Sequence, residues 1–256
     1  MLYGLYESAS GVMANSHLLD VIANNMANSE TVGFKKMTSP FRERLTAAQE
    51  NPADATWSDP LLENLGGGLL LAPSAMDLSQ GDLTPSDNKL DLGIQGDGYF
   101  AVSDKGTTRL TRDGRFQLDQ QGNLVTADGS SRPVLGADLK PISLDATKIS
   151  TTTIDASGQI TQAGATAGQV GLFTVPDATQ LTPHGNGQFD YPDLQDSLTT
   201  ASGMVHSGFT ERANVDPVTE MTHMMDAERE LEANANMLRL QDQTLATLTQ
   251  QVAKMT

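Results

Sequence analysis

The strongest constraint on this chain is an apolar repeat of seven residues at each end, absent from the long stretch between. Leu2, Leu5, Ala9, Val12, Ser16, Leu19, Ala23 and Met26 recur at alternating spacings of three and four, the period that keeps one helix face turned toward a partner. Met224, Leu231, Leu238, Leu245 and Val252 recur every seven residues, and Met221, Ala235, Leu248 and Met255 widen that stripe. Two such seams predict two long helices packed on each other. The second has a clear start, because Asp216 can cap free N–H groups, Pro217 presets φ and Glu220 suits the positive end of the helix dipole.

The first helix is intrinsically weaker. Gly4, Gly11 and the asparagines at 15, 24, 25 and 28 lower its propensity, and Gly33 is its expected stop. A seam built from Ala, Ser, Asn and Met suits close packing in an assembly, although a face covering the protein's own core explains one stripe equally well. In an isolated monomer the termini, 1 to about 30 and 216–256, are therefore expected to be mobile, and 80–200 to stay folded.

Between the seams the pattern changes. Residues 34–76 are punctuated by Pro40, Pro52, Pro60 and Gly66-Gly67-Gly68, which reads as a partly extended connector, with Trp57 as a local hydrophobic anchor. From 77 to 205 apolar residues alternate, as in Leu90, Leu92 and Ile94 or Phe116 and Leu118. Asp97-Gly98, Asp113-Gly114, Asp128-Gly129 and similar pairs read as hairpin turns needing positive φ. The predicted class is α+β: long N- and C-terminal helices pairing as a coiled coil, with a central antiparallel all-β domain of sandwich or barrel type. The expected segments are the N-terminal helix at 1–33, the connector at 34–76, the β domain at 77–205 and the C-terminal helix segment at 206–256.

No chemistry emerges from the residues. Sixteen Lys and Arg against 32 Asp and Glu give a net charge of -16, which repels nucleic acid and anionic lipid. Cysteine is absent. No apolar run approaches the roughly 20 residues of a membrane span, so no membrane insertion is expected. Lys35 is the first basic residue, which argues against a cleaved secretory signal. Gly96-Asp97-Gly98-Tyr99-Phe100-Ala101 matches a dinucleotide-loop pattern but sits between strands, so a hairpin turn is expected. The Asp-Gly pairs lack calcium-loop spacing, and His17, His184, His206 and His223 form no metal pair. Glu228, Glu230 and Glu232 read as solvated helix residues. We expect no catalytic residue, cofactor or metal.

Three blocks carry a resemblance. Residues 18–28 (Leu18-Leu19-Asp20-Val21-Ile22-Ala23-Asn24-Asn25-Met26-Ala27-Asn28), with Thr31-Val32-Gly33-Phe34-Lys35-Lys36, form the first. Gln80-Gly81-Asp82-Leu83, Leu90 to Val102 and Thr111-Arg112-Asp113-Gly114-Arg115-Phe116 form the second. Gly208, Glu211, Asn214-Val215-Asp216, Glu220-Met221, Arg229 and Glu232-Ala233-Asn234 form the third. Together they resemble bacterial flagellar rod and hook proteins over nearly the whole chain. Thr210, Ala213 and Leu231 depart from the usual Leu, Ser and aromatic. The length is similar to proximal-rod and distal-rod members, and Val205-His206-Ser207-Gly208, which lacks the distal type's Gln-Gly, tilts the reading to the proximal type.

The resemblance implies a structural subunit, not an enzyme, that stacks helically with copies of itself and with other rod proteins to carry torque from rotor to hook. The ten residues expected to pack subunits are Leu2, Leu5, Val12, Leu19, Met26, Met224, Leu231, Leu238, Leu245 and Val252. It implies a place in the basal-body rod, in the periplasmic space, reached through the flagellar type III export apparatus without a cleaved signal. Phe41 and Leu45 have a spacing associated with such substrates and share a face if the segment turns helical; a turn packing on the subunit itself explains them as well. The reading from a different class is a secreted β-domain binding protein or hydrolase with helical appendages.

Overall fold

Asp216 and Pro217 start the long C-terminal helix. The computed structural model describes residues 2–43, 69–72, 74–192 and 194–255, with α1 at Leu2–Ala27, a single turn α2 at Leu194–Ser197 and α3 at Pro217–Met255. The Asp216 carboxylate accepts from the Val218 N–H at 3.2 Å and the Thr219 hydroxyl at 2.5 Å, which satisfies donors that a bare helix end leaves free. At the other end of the chain the expected stop is displaced. α1 ends at Ala27, and turns carry the chain to Gly33. Gly33 has φ +72°, and a Cβ there would lie 2.5 Å from the Arg112 carbonyl carbon, so its role is a close backbone approach rather than a helix terminus.

The strands, in chain order, are β1 (Met37–Thr38), β2 (Phe41–Glu43), β3 (Leu69–Leu71), β4 (Ala75–Met76), β5 (Leu83–Pro85), β6 (Leu92–Gln95), β7 (Tyr99–Asp104), β8 (Thr107–Thr111), β9 (Phe116–Leu118) and β10 (Leu124–Thr126). They continue as β11 (Thr152–Ile154), β12 (Gln159–Gln162), β13 (Ala165–Gln169), β14 (Leu172–Thr174), β15 (Thr182–Gly185), β16 (Gln188–Asp190), β17 (Thr199–Thr200), β18 (Met204–Ser207) and β19 (Phe209–Glu211). The chain forms two units, one of residues 1–27, 37–76 and 216–256, the other of 28–36 and 77–215.

In the first unit α1 and α3 pack together, as the two seams predicted. β1 pairs with β4 and β2 with β3, both antiparallel, with Met37 opposite Met76 and Phe41 opposite Leu71. The connector is thus partly a two-stranded ribbon. Trp57 and Leu45 lie outside the described residues.

The second unit is antiparallel throughout. Its largest sheet has the order β15-β16-β8-β7-β14-β17, beside a three-stranded sheet β11-β12-β13 and the pairs β9–β10, β6–β18 and β5–β19. These sheets enclose Leu92, Ile94, Phe100, Val102, Phe116 and Ile160 among others, with Phe100 and Phe116 edge to face at 5.2 Å. Residues 206–215 belong to this unit. Gly96 and Gly98 lie between β6 and β7, a turn between strands with no helix to hold a pyrophosphate. Asp113-Gly114 is not the positive-φ turn that its sequence suggests. Its glycine is required because a Cβ would meet the Leu92 carbonyl oxygen at 1.8 Å.

Candidate functional site

Two constructions stand out, one in each unit. In the first unit, α1 and α3 run antiparallel in a register of seven-residue steps. A Cβ on Gly4 would lie 2.9 Å from the Gln241 amide nitrogen, and one on Gly11 would lie 2.7 Å from that of Asn234; Asn25 reaches Glu220. The contact line of α1 runs through Gly4, Ser8, Gly11, Asn15, Leu18, Ile22 and Asn25, one residue earlier than the apolar line read from the sequence, with Ala14 buried beside it. On α3 the seam alternates Glu220, Ala227, Asn234 and Gln241 with Met224, Leu231, Leu238 and Leu245.

This placement has a volume argument behind it. Small residues let two helix axes approach, and a longer side chain from the other helix fills the space above each glycine. Leu5, Val12, Leu19 and Met26 flank the α1 line half-buried, and Met224, Leu231, Leu238 and Leu245 are half-buried within the α3 seam; Met221 and Leu248 are exposed. Leu2 and Val252 lie within α1 and α3. Asn25 is the polar centre of the seam. Its amide donates to the Met37 carbonyl at 2.8 Å and to Glu220 Oε2 at 3.3 Å, and its side-chain oxygen accepts from the Met37 N–H at 2.8 Å. One side chain thereby ties together α1, β1 and α3.

In the second unit, charged residues from the three sequence blocks meet. The Lys35 ammonium donates to Glu211 Oε1 at 2.6 Å and to the Ser79 carbonyl at 2.8 Å. Arg112 Nη1 donates to Glu211 Oε2 at 3.0 Å, and Nη2 to the Gly96 carbonyl at 3.0 Å, with the guanidinium 5.0 Å from the Tyr99 ring centre. All three charged side chains are at most 5% exposed. Burial lowers the Lys35 pKa, only partly offset by its hydrogen bond to Glu211, and burial raises that of Tyr99. Around this trio, the Gly33 N–H donates to the Glu211 carbonyl and the Gly81 N–H to its carboxylate. Asn214 accepts from the Lys36 N–H at 2.7 Å and donates to the Asp77 and Ser79 carbonyls. Segments 33–36, 77–81, 112 and 211–214 are stitched into one clasp.

The sequence reading assigned no role to Lys35, Arg112, Glu211, Asn25 or the small-residue line. Apolar periodicity cannot detect buried charge or glycine contacts. The only available signal was that Lys35, Arg112 and Glu211 each lie in one of the three family-like blocks. Phe41 is half-buried in strand β2, not in a helical turn. No group of acidic, histidine or cysteine side chains that could hold a metal occurs among the described residues, and none of their helices is long and apolar enough to cross a membrane.

Comparison with known proteins finds three matching stretches along the chain. Residues 5–35 match the family model described as flagella basal body rod protein, 93–162 that of the flagellar hook protein FlgE/F/G D1 domain, and 206–251 that of the flagellar basal body rod FlgEFG protein C-terminal. The chain is 32% identical to the flagellar basal-body rod protein FlgG of Bacillus subtilis (strain 168), over 97% of this chain and 98% of that protein. It is 30% identical to the flagellar basal-body rod protein FlgF of Mesorhizobium japonicum over 92% and 91%. It is 31% identical to FlgF of Caulobacter vibrioides over 91% of each.

Proposed function

The chain belongs to the flagellar basal-body rod protein family, whose members are structural, and from this we propose that it is a proximal-rod subunit of the FlgF type. It assembles helically with copies of itself and with other rod proteins, in the periplasmic part of the basal body, and passes torque from rotor to hook. It reaches that place through the flagellar type III export apparatus. Helical stacking requires two different surfaces, each meeting the other on the next copy.

The observation that carries this reading is the outer surface of the helix pair. Glu7 and Asp20 are the only charged residues of α1, and Tyr6 and Met13 are 70% and 66% exposed on it. Val218, Met221, Met225, Met237 and Leu240 are likewise exposed on α3. Large apolar side chains left exposed on both helices suit a surface that is covered in an assembly, and the half-buried Leu5, Val12, Leu19 and Met26 of α1 and Met224, Leu231, Leu238 and Leu245 of the α3 seam border that surface. With Leu2 and Val252 they form the proposed subunit contacts.

Deleting residues 1–30 tests the assembly role: rods and motility should be lost, and motility retained after the deletion rules the role out. The distal-rod reading keeps one observation in its favour, the 32% identity to a FlgG over 97% of this chain. Complementation separates the two. A proximal subunit restores rods to a strain lacking its FlgF and fails in one lacking its FlgG; the reverse result assigns the distal type.

A further inference from the structure

Within the clasp, two buried cations share one anion. Glu211 is the acidic partner of both Lys35 and Arg112, and the Arg112 Nε is buried without a hydrogen-bond partner among the described residues. Removing that single anion leaves two like charges out of water, whereas removing Lys35 leaves a neutral Arg112–Glu211 pair. The anion is also the last of the three to arrive along the chain. It sits in β19, which pairs with β5, next to β18, which pairs with β6, with Thr210 opposite Thr84 and Val205 opposite Ile94.

The same segment satisfies backbone groups that are otherwise open. The Gly208 carbonyl accepts the Ser86 N–H at 2.7 Å, the Glu211 carbonyl accepts the Gly33 N–H at 2.8 Å, and the Arg212 N–H donates to the Asp82 carbonyl at 2.9 Å. By contrast, the pairing of β7 with β8 and β14, and of β8 with β16, involves no residue of 204–215.

We propose that residues 204–215 are a closing segment of the β unit, driven into place by the Glu211 charge. Until it docks, Lys35 and Arg112 keep residues 28–36 and the edges of β5 and β6 open, while the strand pairing of the sheet centred on β7 and β8 is complete without it. For a subunit delivered N-terminus first, a point that rests on the export reading above, closure comes only near the end of delivery. The exchange experiment below tests the segment on purified protein, so its outcome is independent of the delivery route.

The test is native-state hydrogen exchange on the full chain. Glu211→Gln keeps the side-chain volume and removes the charge. It should cost amides in β5, β6, β18, β19 and residues 33–36 at least about a hundredfold in protection, the lower range for breaking a buried pair, and leave β7 and β8 within about threefold. Lys35→Met should cost the same amides less than about tenfold. Equal loss in β5–β6 and β7–β8, no loss, or a Lys35→Met effect as large as that of Glu211→Gln overturns the proposal. If Glu211→Gln yields no folded protein, the unsubstituted chain decides. With rising urea its β5, β6, β18 and β19 amides should open at lower free energy than those of β7 and β8, and a single shared opening refutes a separate closing segment.

Discussion

Replacing Gly114 separates two reasons for a glycine in Asp113-Gly114. In a turn of positive φ, Ala costs about 1 kcal/mol and Asn less, since Asn tolerates the left-handed region. Here a Cβ would lie 1.8 Å from the Leu92 oxygen, 2.8 Å from its carbonyl carbon and 3.0 Å from the Phe100 ring. The two backbones are pinned by the Leu92 N–H donating to the Gly114 carbonyl at 2.9 Å. Relieving the clash means moving one strand by over roughly 1 Å, which breaks that bond, at about 1–3 kcal/mol. It also disturbs the packing of Leu92 and Phe100, both fully buried, at a further ~1–3 kcal/mol. Gly114→Ala should therefore cost about 2–6 kcal/mol, a large part of the 5–15 kcal/mol typical of a domain. Gly114→Asn should cost more, because the added atoms enter the same space. Gly129 is the control, with φ +83° and nothing near its missing Cβ; there Asn should cost less than Ala. Urea unfolding followed by circular dichroism reads both as midpoint shifts at constant slope. A Gly114→Ala cost of about 1 kcal/mol with Asn cheaper still would refute the close-approach argument.

Three further outcomes are expected. Hydrogen exchange on verified monomer should be much faster around Leu19 and Leu238 than in β7 and β8, because a seam of Gly, Ser and Asn buries little apolar area; strong protection there shows a stable intrachain helix pair. Stability should fall as pH drops below 3.8, the ordinary carboxyl value, since Asp119, Asp145, Asp155 and Asp177 are held below it, first by hydrogen bonds from the side chains of Asn123, Thr147, Ser157 and Thr179. Depressed carboxyls stabilise the fold above their unfolded pKa, and that contribution is lost as pH falls through the folded values; an unchanged urea midpoint between pH 6 and pH 3 contradicts it. Replacing Phe41 and Leu45 with Ala should leave protein inside cells whose export apparatus still secretes other substrates, and unchanged secretion with intact rods places the export contact elsewhere.

The two helices were legible because repeat length and capping chemistry are local properties, carried by Leu19, Leu238, Asp216 and Pro217 wherever the chain folds. The antiparallel character of the middle was legible for the same reason, through alternation and short turns. What lay beyond the sequence depends on distance in space. Gly33 and Gly114 looked like a helix stop and a turn, yet each accommodates another backbone that passes close. The helix contact line runs through Ser8, Gly11 and Asn15, since small side chains decide how near two axes come while contributing almost nothing to an apolar count.

Lys35, Arg112 and Glu211 show the division most sharply. Each was present in a recognisable block, and the charges alone gave no reason to bury any of them, because an isolated ion in a protein interior is strongly unfavourable. Only the tertiary fold, by bringing residues 35, 112 and 211 within hydrogen-bonding distance, makes that burial tolerable. The sequence by itself therefore determined the periods, the caps and the family. Which residues touch was decided by the tertiary structure, because contacts between distant segments depend on volume and charge compensation in three dimensions, which no local pattern encodes.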